Sequence, residues 1–392
     1  MRGKRKRPRD LPASPETARR EALERKWWSR ATREDSLATL VTAESARHEP
    51  FHRWHHYMQS FAPSLVRHFL SETAEIRNQL AGLPVLDPFC GAGTVPVECA
   101  RQGVGAIGID AAEPLVFLSE AKFARSFPPF PAFGELTAWT SLADELEHPV
   151  HRAALMLAVG RQHTSAGKVN RGAMPLAALL AEIVETMQTD LLRPIALENP
   201  IYHGDATALT EIEDQSIGGI FTSPPYLSRH EYGAILKPME TVYRHWYDTA
   251  QGETGQLPAS PRAKNKRGRM GSVPAVDESA ARLEEKGERR MAGVVREYFA
   301  QMESVLSEFR RVLAPSAPCW MVVGGARWKD VYIPADFIIA DIAESVGLQI
   351  TEIRVARDLI DGRRKFGNVG HVAPRESVLE MVLADDRAPE LD

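Results

Sequence analysis

Val85-Leu86-Asp87-Pro88-Phe89-Cys90-Gly91-Ala92-Gly93-Thr94 is the stretch on which the reading of this chain turns. Its first three residues are a short apolar strand that ends on a carboxylate. Gly91 and Gly93 let the backbone turn tightly, and Thr94 to Arg101 keeps helical spacing, with Pro96 tolerated in the first turn and Gly103 closing the helix. A strand that turns through glycines into a helix leaves backbone N–H groups open to a small ligand.

Ala106-Ile107-Gly108-Ile109-Asp110 is expected as the next strand and Pro114 to Arg125 as the next helix, which completes a βαβ unit. Strands are expected again at Ile201 to His203, Gly219 to Phe221, Trp320 to Val323, Ile350 to Val355 and Val378 to Val382. Val294, Val295, Tyr298, Met302, Val305, Phe309 and Val312 keep the spacing of one long amphipathic helix. Pro334 opens a helix that Gly347 ends, and Ser64 is the expected N-cap of a helix carrying Leu65, Phe69 and Leu70. Short apolar strands alternating with helices predict an α/β, doubly wound, mostly parallel sheet of seven strands covered on both faces.

Two segments interrupt the alternation. Residues 126–199 read as a mostly helical insertion, and residues 227–290 as a second one containing a polar, Gly/Pro/Arg-rich loop. Residues 1–45 read as a basic arm and a helix whose docking the sequence does not fix, leaving 46–392 as one domain with both insertions.

At 392 residues the chain can bury a sizeable core, and 44% hydrophobic with 26% charged residues is the composition of a soluble globular protein. No apolar run reaches the length of a membrane span, so no membrane association is expected and the cytoplasm is the expected compartment. Cys90, Cys99 and Cys319 have neither metal-ligand spacing nor the number for a disulfide framework, and His52, His55 and His56 lack cysteine or carboxylate partners at such spacing. No metal is expected. The net charge of -4 argues against a general nucleic-acid coat, yet three basic clusters stand out: Arg2 to Arg9; Arg262, Lys264, Lys266, Arg267 and Arg269; and Arg363, Arg364 and Lys365. Local clusters matter more for phosphate contact than the total does.

Far downstream lies Thr222-Ser223-Pro224-Pro225-Tyr226, a proline-locked strand end closed by an aromatic ring. Together with Asp87-Pro88-Phe89-Cys90-Gly91-Ala92-Gly93, it resembles the S-adenosylmethionine-dependent DNA amino-methyltransferases, the N4-cytosine and N6-adenine type. The resemblance covers about residues 50–125 and 200–384 and implies a Rossmann-like methyltransferase sheet whose last strand is antiparallel. It implies S-adenosylmethionine as cofactor, held by Phe61, Asp87, Pro88, Phe89, Gly91, Gly93, Thr94, Asp110, Asp205 and Ala206. Phe51-His52-Arg53-Trp54 with Phe61-Ala62-Pro63 resembles the motif that caps the methionine end of that cofactor. Asp110 has the place of the acid that takes both ribose hydroxyls, and it is also a candidate helix cap.

An exocyclic amine is a poor nucleophile because its lone pair is delocalised into the ring. Acceptors around the amine let the nitrogen rehybridise, and the Ser223 side chain and Pro224 carbonyl are candidates, with Pro224 and Pro225 keeping the loop rigid. Tyr226 is the candidate to stack on a base flipped out of double-stranded DNA. Transfer to an amine needs no covalent nucleophile, so Cys319 is read as structural. Within the resemblance, serine at the first loop position leans toward cytosine N4. N6-adenine is the next alternative, then an RNA base, then a non-catalytic nucleic-acid-binding subunit. Arg262, Lys264, Lys266, Arg267, Arg269, Arg363, Arg364 and Lys365 are the candidate DNA contacts, because both loops are expected at the acceptor's edge of the sheet. The family allows for a restriction-system partner; recognition sequence and oligomeric state are not written in the chain.

Overall fold

The computed structural model describes residues 18–55, 60–80, 82–136, 138–164, 166–227, 232–247, 273–329, 331–359 and 374–384. Among the described residues the ten strands are β1 (Ala31–Arg33), β2 (Val85–Asp87), β3 (Ala106–Asp110), β4 (Ile201–His203), β5 (Gly219–Thr222), β6 (Cys319–Gly324), β7 (Ala326–Trp328), β8 (Val331–Ile333), β9 (Leu348–Asp358) and β10 (Arg375–Leu383). The α-helices are α1 (Ala18–Trp28), α2 (Pro63–Glu72), α3 (Ala74–Gln79), α4 (Thr94–Arg101), α5 (Glu113–Ala121), α6 (Thr140–Ala143), α7 (Pro149–Gln162), α8 (Leu176–Leu191), α9 (Tyr232–Trp246), α10 (Pro274–Glu285), α11 (Arg289–Val312) and α12 (Ala335–Ser345).

The main sheet has the order β1-β9-β10-β6-β5-β2-β3-β4, with β7 and β8 forming a separate hairpin. β2, β3, β4, β5 and β6 pair in parallel, while β10 runs antiparallel to both β6 and β9. This is the doubly wound α/β, Rossmann-like sheet with an antiparallel last strand. It has eight strands where seven were expected, because Ala31–Arg33 adds in parallel to the outer edge of β9.

Alternation along the strands sends side chains to two faces. Leu86, Ile109, Ile220, Met321 and Val323 pack with α11 and α12, whereas Val85, Ala106, Phe221, Trp320 and Val322 pack with α2 and the Val95 and Cys99 side of α4. A third core joins α5, α7, α8 and α9. The helix carrying Leu65 begins at Pro63 with Ala62 as its cap, and Ser64 does not cap it. Proline lacks the N–H that a helix start leaves unsatisfied and has helical φ already, so it takes the first position and moves the cap upstream.

Helix α1 is docked. Trp27 is fully buried, and Glu24 receives both terminal nitrogens of Arg375 at 3.2 Å. Arg375 is itself buried and donates to Asp336 at 2.6 Å. Among the described residues, no helix is long and apolar enough to cross a membrane.

Candidate active site

In the sheet order, β2 stands between β3 and β5, and the chain winds away from it in both directions. At such a switch point a crevice opens beyond the carboxyl ends of the strands. Asp87, Asp110, Thr222 and Gly324 end β2, β3, β5 and β6 at this one edge.

One hydrogen bond joins the two sequence motifs. Thr222 Oγ1 donates to Asp87 Oδ1 at 2.6 Å, and both residues are buried. Asp87 opens the glycine turn and Thr222 immediately precedes Ser223, so the two loops start side by side. Burial pushes the Asp87 carboxyl up to about 7; the bonds from Thr222 and from the Phe89 N–H pull the other way, and the Asp110 charge adds to the rise.

The turn is held from several directions. Gly93 N–H donates to the Cys90 carbonyl at 2.8 Å, and Gly91 N–H donates to Asp110 Oδ2 at 2.8 Å. From α5, Ser119 Oγ donates to the Gly91 carbonyl at 2.9 Å. Lys122, just past α5, donates to the Ala92 carbonyl from a fully buried position, where burial lowers its amine to about 7. Gly93 has φ +80°, and a Cβ there would lie 2.9 Å from Ser119 Oγ. Both its conformation and its neighbour therefore demand glycine.

Asp110 also accepts the Ala112 N–H at 2.8 Å. Ala112 is the N-cap of α5, so the carboxylate steadies the helix start from one step upstream and does not cap it directly. A carboxylate offers about four lone-pair sites, so after two backbone bonds Asp110 keeps acceptors for a ribose. Burial raises its pKa, against the pull of the Ala112 and Gly91 bonds. His203 lies opposite Asp110 in the β3–β4 pairing. Asp205 follows, accepting the Thr207 N–H at 2.9 Å and its hydroxyl at 2.7 Å, with Ala206 buried beside it. An ideal Cβ on Gly91 meets nothing within 4 Å. That open space beside a carboxylate with spare acceptors fits a nucleoside-bearing cofactor.

On the other side, Ser223 Oγ donates to the Val322 carbonyl at 3.1 Å. Pro224 is buried, and Pro225 and Tyr226 are half-buried. The Tyr226 hydroxyl donates to Glu376 Oε1 at 2.7 Å. Phe61 sets its ring edge-on to Phe221 of β5 at 5.0 Å, and Thr94 Oγ1 is 3.5 Å from Ser60 Oγ. Pro88 is buried and Phe89 half-buried in the turn.

The segment Phe51-His52-Arg53-Trp54 is clasped by the 126–199 insertion. Asp190 of α8 accepts the Phe51 N–H and the Trp54 indole N–H, each at 2.8 Å, and pairs with Arg53. Arg161 of α7 donates to the Trp54 carbonyl at 2.8 Å. His52 is committed to Glu98 at 2.8 Å. Arg262, Lys264, Lys266, Arg267, Arg269, Arg363, Arg364 and Lys365, like His56 and the arm Arg2 to Arg9, lie outside the described residues. The ends that flank the third basic cluster are described: Leu359 N–H meets the Pro374 carbonyl at 2.6 Å, at the same edge as Gly324.

Sequence reasoning gave no role in the site to Thr222 or Glu376 and passed over Ser119, Lys122, Asp190 and Gly324. Only Thr222 carried a usable signal, a hydroxyl placed one residue before the proline loop. The others act from 28 to 150 residues away from their partners.

Comparison with known proteins fits this geometry. Residues 73–256 match the family described as UPF0020, RMKL-like, methyltransferase domain. The chain carries a methyltransferase domain, and S-adenosylmethionine is its cofactor. It is similar to the type II methyltransferase M.BsoBI of Geobacillus stearothermophilus, 21% identical over 86% of this chain and 87% of that protein. A shorter likeness is to the type II methyltransferase M.MjaII of Methanocaldococcus jannaschii, 34% identical over 23% of this chain and 16% of that one. Among solved structures, a putative sarcosine dimethylglycine methyltransferase from Galdieria sulphuraria aligns over 93% of this chain and 99% of its own, with 9% identity and a TM-score of 0.37.

Proposed function

We propose that this protein transfers a methyl group from S-adenosylmethionine to an exocyclic amine of a DNA base, cytosine N4 in preference to adenine N6. The observation that carries the proposal is the Thr222–Asp87 bond, which sets the proline loop directly beside the glycine turn. The resemblance of both loops to the DNA amino-methyltransferases supports the substrate, and two relatives bear the name type II methyltransferase.

The bound cofactor supplies an electrophilic methyl on a sulfonium. The glycine turn and the first turn of α4 hold the donor, with Asp110 accepting from its ribose. The Ser223 hydroxyl already donates its hydrogen bond to the Val322 carbonyl. Its lone pairs are therefore the part of the group left to face an incoming amine, together with the Pro224 carbonyl. Two acceptors drawing on the amine protons would localise the nitrogen lone pair, so that the N–CH3 bond forms as the S–CH3 bond breaks, S-adenosylhomocysteine leaves and the surplus N–H proton passes through these acceptors to water. The prolines hold this arrangement before the base arrives, so little reorganisation is needed at the moment of transfer.

The test is incubation with unmodified DNA and isotopically labelled cofactor, digestion to nucleosides and mass spectrometry. Labelled N4-methylcytosine is expected. N6-methyladenine would replace the base assignment, label only in RNA would overturn the DNA assignment, and cofactor binding without transfer to either would overturn the catalytic reading.

A further inference from the structure

Tyr226 reaches past its own loop and rests on a single row of residues that crosses three strands. In the pairing of β6, β10 and β9, Gly324 lies opposite Glu376, and Glu376 lies opposite Arg357. The tyrosine uses all of this row. Its ring lies against the Gly324 backbone so closely that a Cβ there would meet ring carbons Cδ2 and Cε2 at 2.5 Å. Its hydroxyl donates to one oxygen of Glu376 at 2.7 Å, and Arg357 Nε donates to the other at 2.6 Å. Glu376 is buried, so this carboxylate is set in place before any substrate arrives.

We propose that Gly324, Glu376 and Arg357 are positioning residues that fix the plane of the Tyr226 ring for the target base; the inference rests on the base-methylation reading above. A tyrosine on a loop would otherwise turn about two side-chain torsions, and each base would have to select the productive ring orientation. Here one face is seated on glycine, which stops rotation toward β6. The far end of the ring is tethered by its hydroxyl, which stops it swinging away from the sheet. Arg357 holds the tether from behind and balances its charge. Glu376 touches neither donor nor acceptor in this scheme and acts only through the ring it holds.

The experiment compares wild type with Glu376→Gln, Gly324→Ala, Tyr226→Phe and the Glu376→Gln/Tyr226→Phe double variant. Cofactor affinity is measured by titration and methyl transfer to unmodified plasmid DNA at saturating cofactor and DNA. Misplacing a reacting assembly by about an ångström costs roughly a hundredfold, so a loss of about ten- to a hundredfold in kcat is expected for Glu376→Gln and Gly324→Ala. Cofactor Kd should stay within about twofold of wild type in the same samples. The double variant should be no slower than the slower of its parents, because both changes act on one tether: a glutamine has a single carbonyl oxygen for two donors, the Tyr226 hydroxyl and Arg357 Nε. Glu376→Gln keeps size and shape, so the test stands even if Gly324→Ala fails to fold. Wild-type-like kcat in Glu376→Gln, or losses that multiply in the double variant, overturns the positioning row alone. Absence of transfer to DNA by the wild type overturns the substrate reading and this inference with it.

Discussion

Replacing Asp87 by asparagine should make the protein more stable at alkaline pH and should flatten part of its dependence on pH. The carboxyl is buried, and burial raises it from an ordinary 3.8 to about 7. A group held above its unfolded value stabilises the fold fully below the unfolded pKa, and that contribution is lost as pH rises through the folded one. At 1.36 kcal/mol for each tenfold step, complete ionisation of Asp87 in place costs about 4 kcal/mol. Between pH 5 and pH 8.5 the share of this cost that develops is about 2.5 kcal/mol. Asparagine does not ionise. Its Oδ1 can still take the Thr222 hydroxyl and the Phe89 N–H, the two bonds that Asp87 accepts on that atom. Urea unfolding of both proteins across that range gives the comparison. Groups common to both, including Glu380, which burial also pushes up to about 7, cancel in the difference. The stability gap in favour of Asp87→Asn should widen by about 2.5 kcal/mol from pH 5 to pH 8.5. Parallel curves would mean that Asp87 is ionised throughout, and the account of the buried link between the loops would be wrong.

Other substitutions separate the parts of the site. Thr222→Val removes the donor from a buried acceptor and should cost about 1–3 kcal/mol of unfolding free energy, together with a fall in transfer rate; full activity would show that the loops do not need this bond. Gly93→Val should abolish cofactor binding in a titration, since it meets both the positive φ and Ser119, whereas retained affinity would remove the turn from the cofactor site. Tyr226→Ala should cut transfer severely while leaving cofactor Kd nearly unchanged, and normal turnover would refute the stacking role. Asp190→Ala strands several buried donors and should lower the unfolding free energy by about 3–5 kcal/mol; proteolysis should then cut near Phe51 first, and an unchanged melting curve would dismiss the clasp.

The βαβ start was legible because strand, glycine turn and helix are contiguous and each obeys a local rule. The boundaries of β2, β3 and α4 followed from apolar runs ended by Asp87, Asp110 and Gly103. The Thr222 to Tyr226 loop was legible for the same reason, and its place beside the turn then followed from parallel order. What stayed hidden depends on partners distant in the chain. β1 is three residues without apolar alternation, and it is a strand only because β9 offers a free edge. α9 contains Pro238, which reads locally as a break, yet Tyr243 packing on Phe117 of α5 and Trp246 bonding the Ala143 carbonyl of the 126–199 insertion hold the helix together. The roles of Arg357, Arg375 and Glu376 are not written in chain order. Arg357 and Glu376 pair across β9 and β10, while Arg375 pairs with Asp336 of α12 and Glu24 of α1; Arg375 and Glu376 are buried, in a register that no local pattern announces.

The two insertions are expected separately from sequence but are not separate in space. α7 and α8 hold the Phe51–Trp54 segment through Arg161 and Asp190, and the same helical layer receives α9, which begins a few residues after Tyr226. Phe51 has φ +67°, a conformation that a bulky residue keeps only when its surroundings impose it. Asp190 supplies that constraint by taking the Phe51 N–H and the Trp54 indole together. On the opposite side of the layer, Trp246 donates to the Ala143 carbonyl and Tyr243 packs edge-on to Phe117 of α5. α5 in turn carries Ser119, which holds the glycine turn. A continuous set of packed and hydrogen-bonded groups therefore runs from the segment before the turn, through the insertion, to the helix after the proline loop. Loosening the insertion should disturb both loops at once, which a surface appendage would not do.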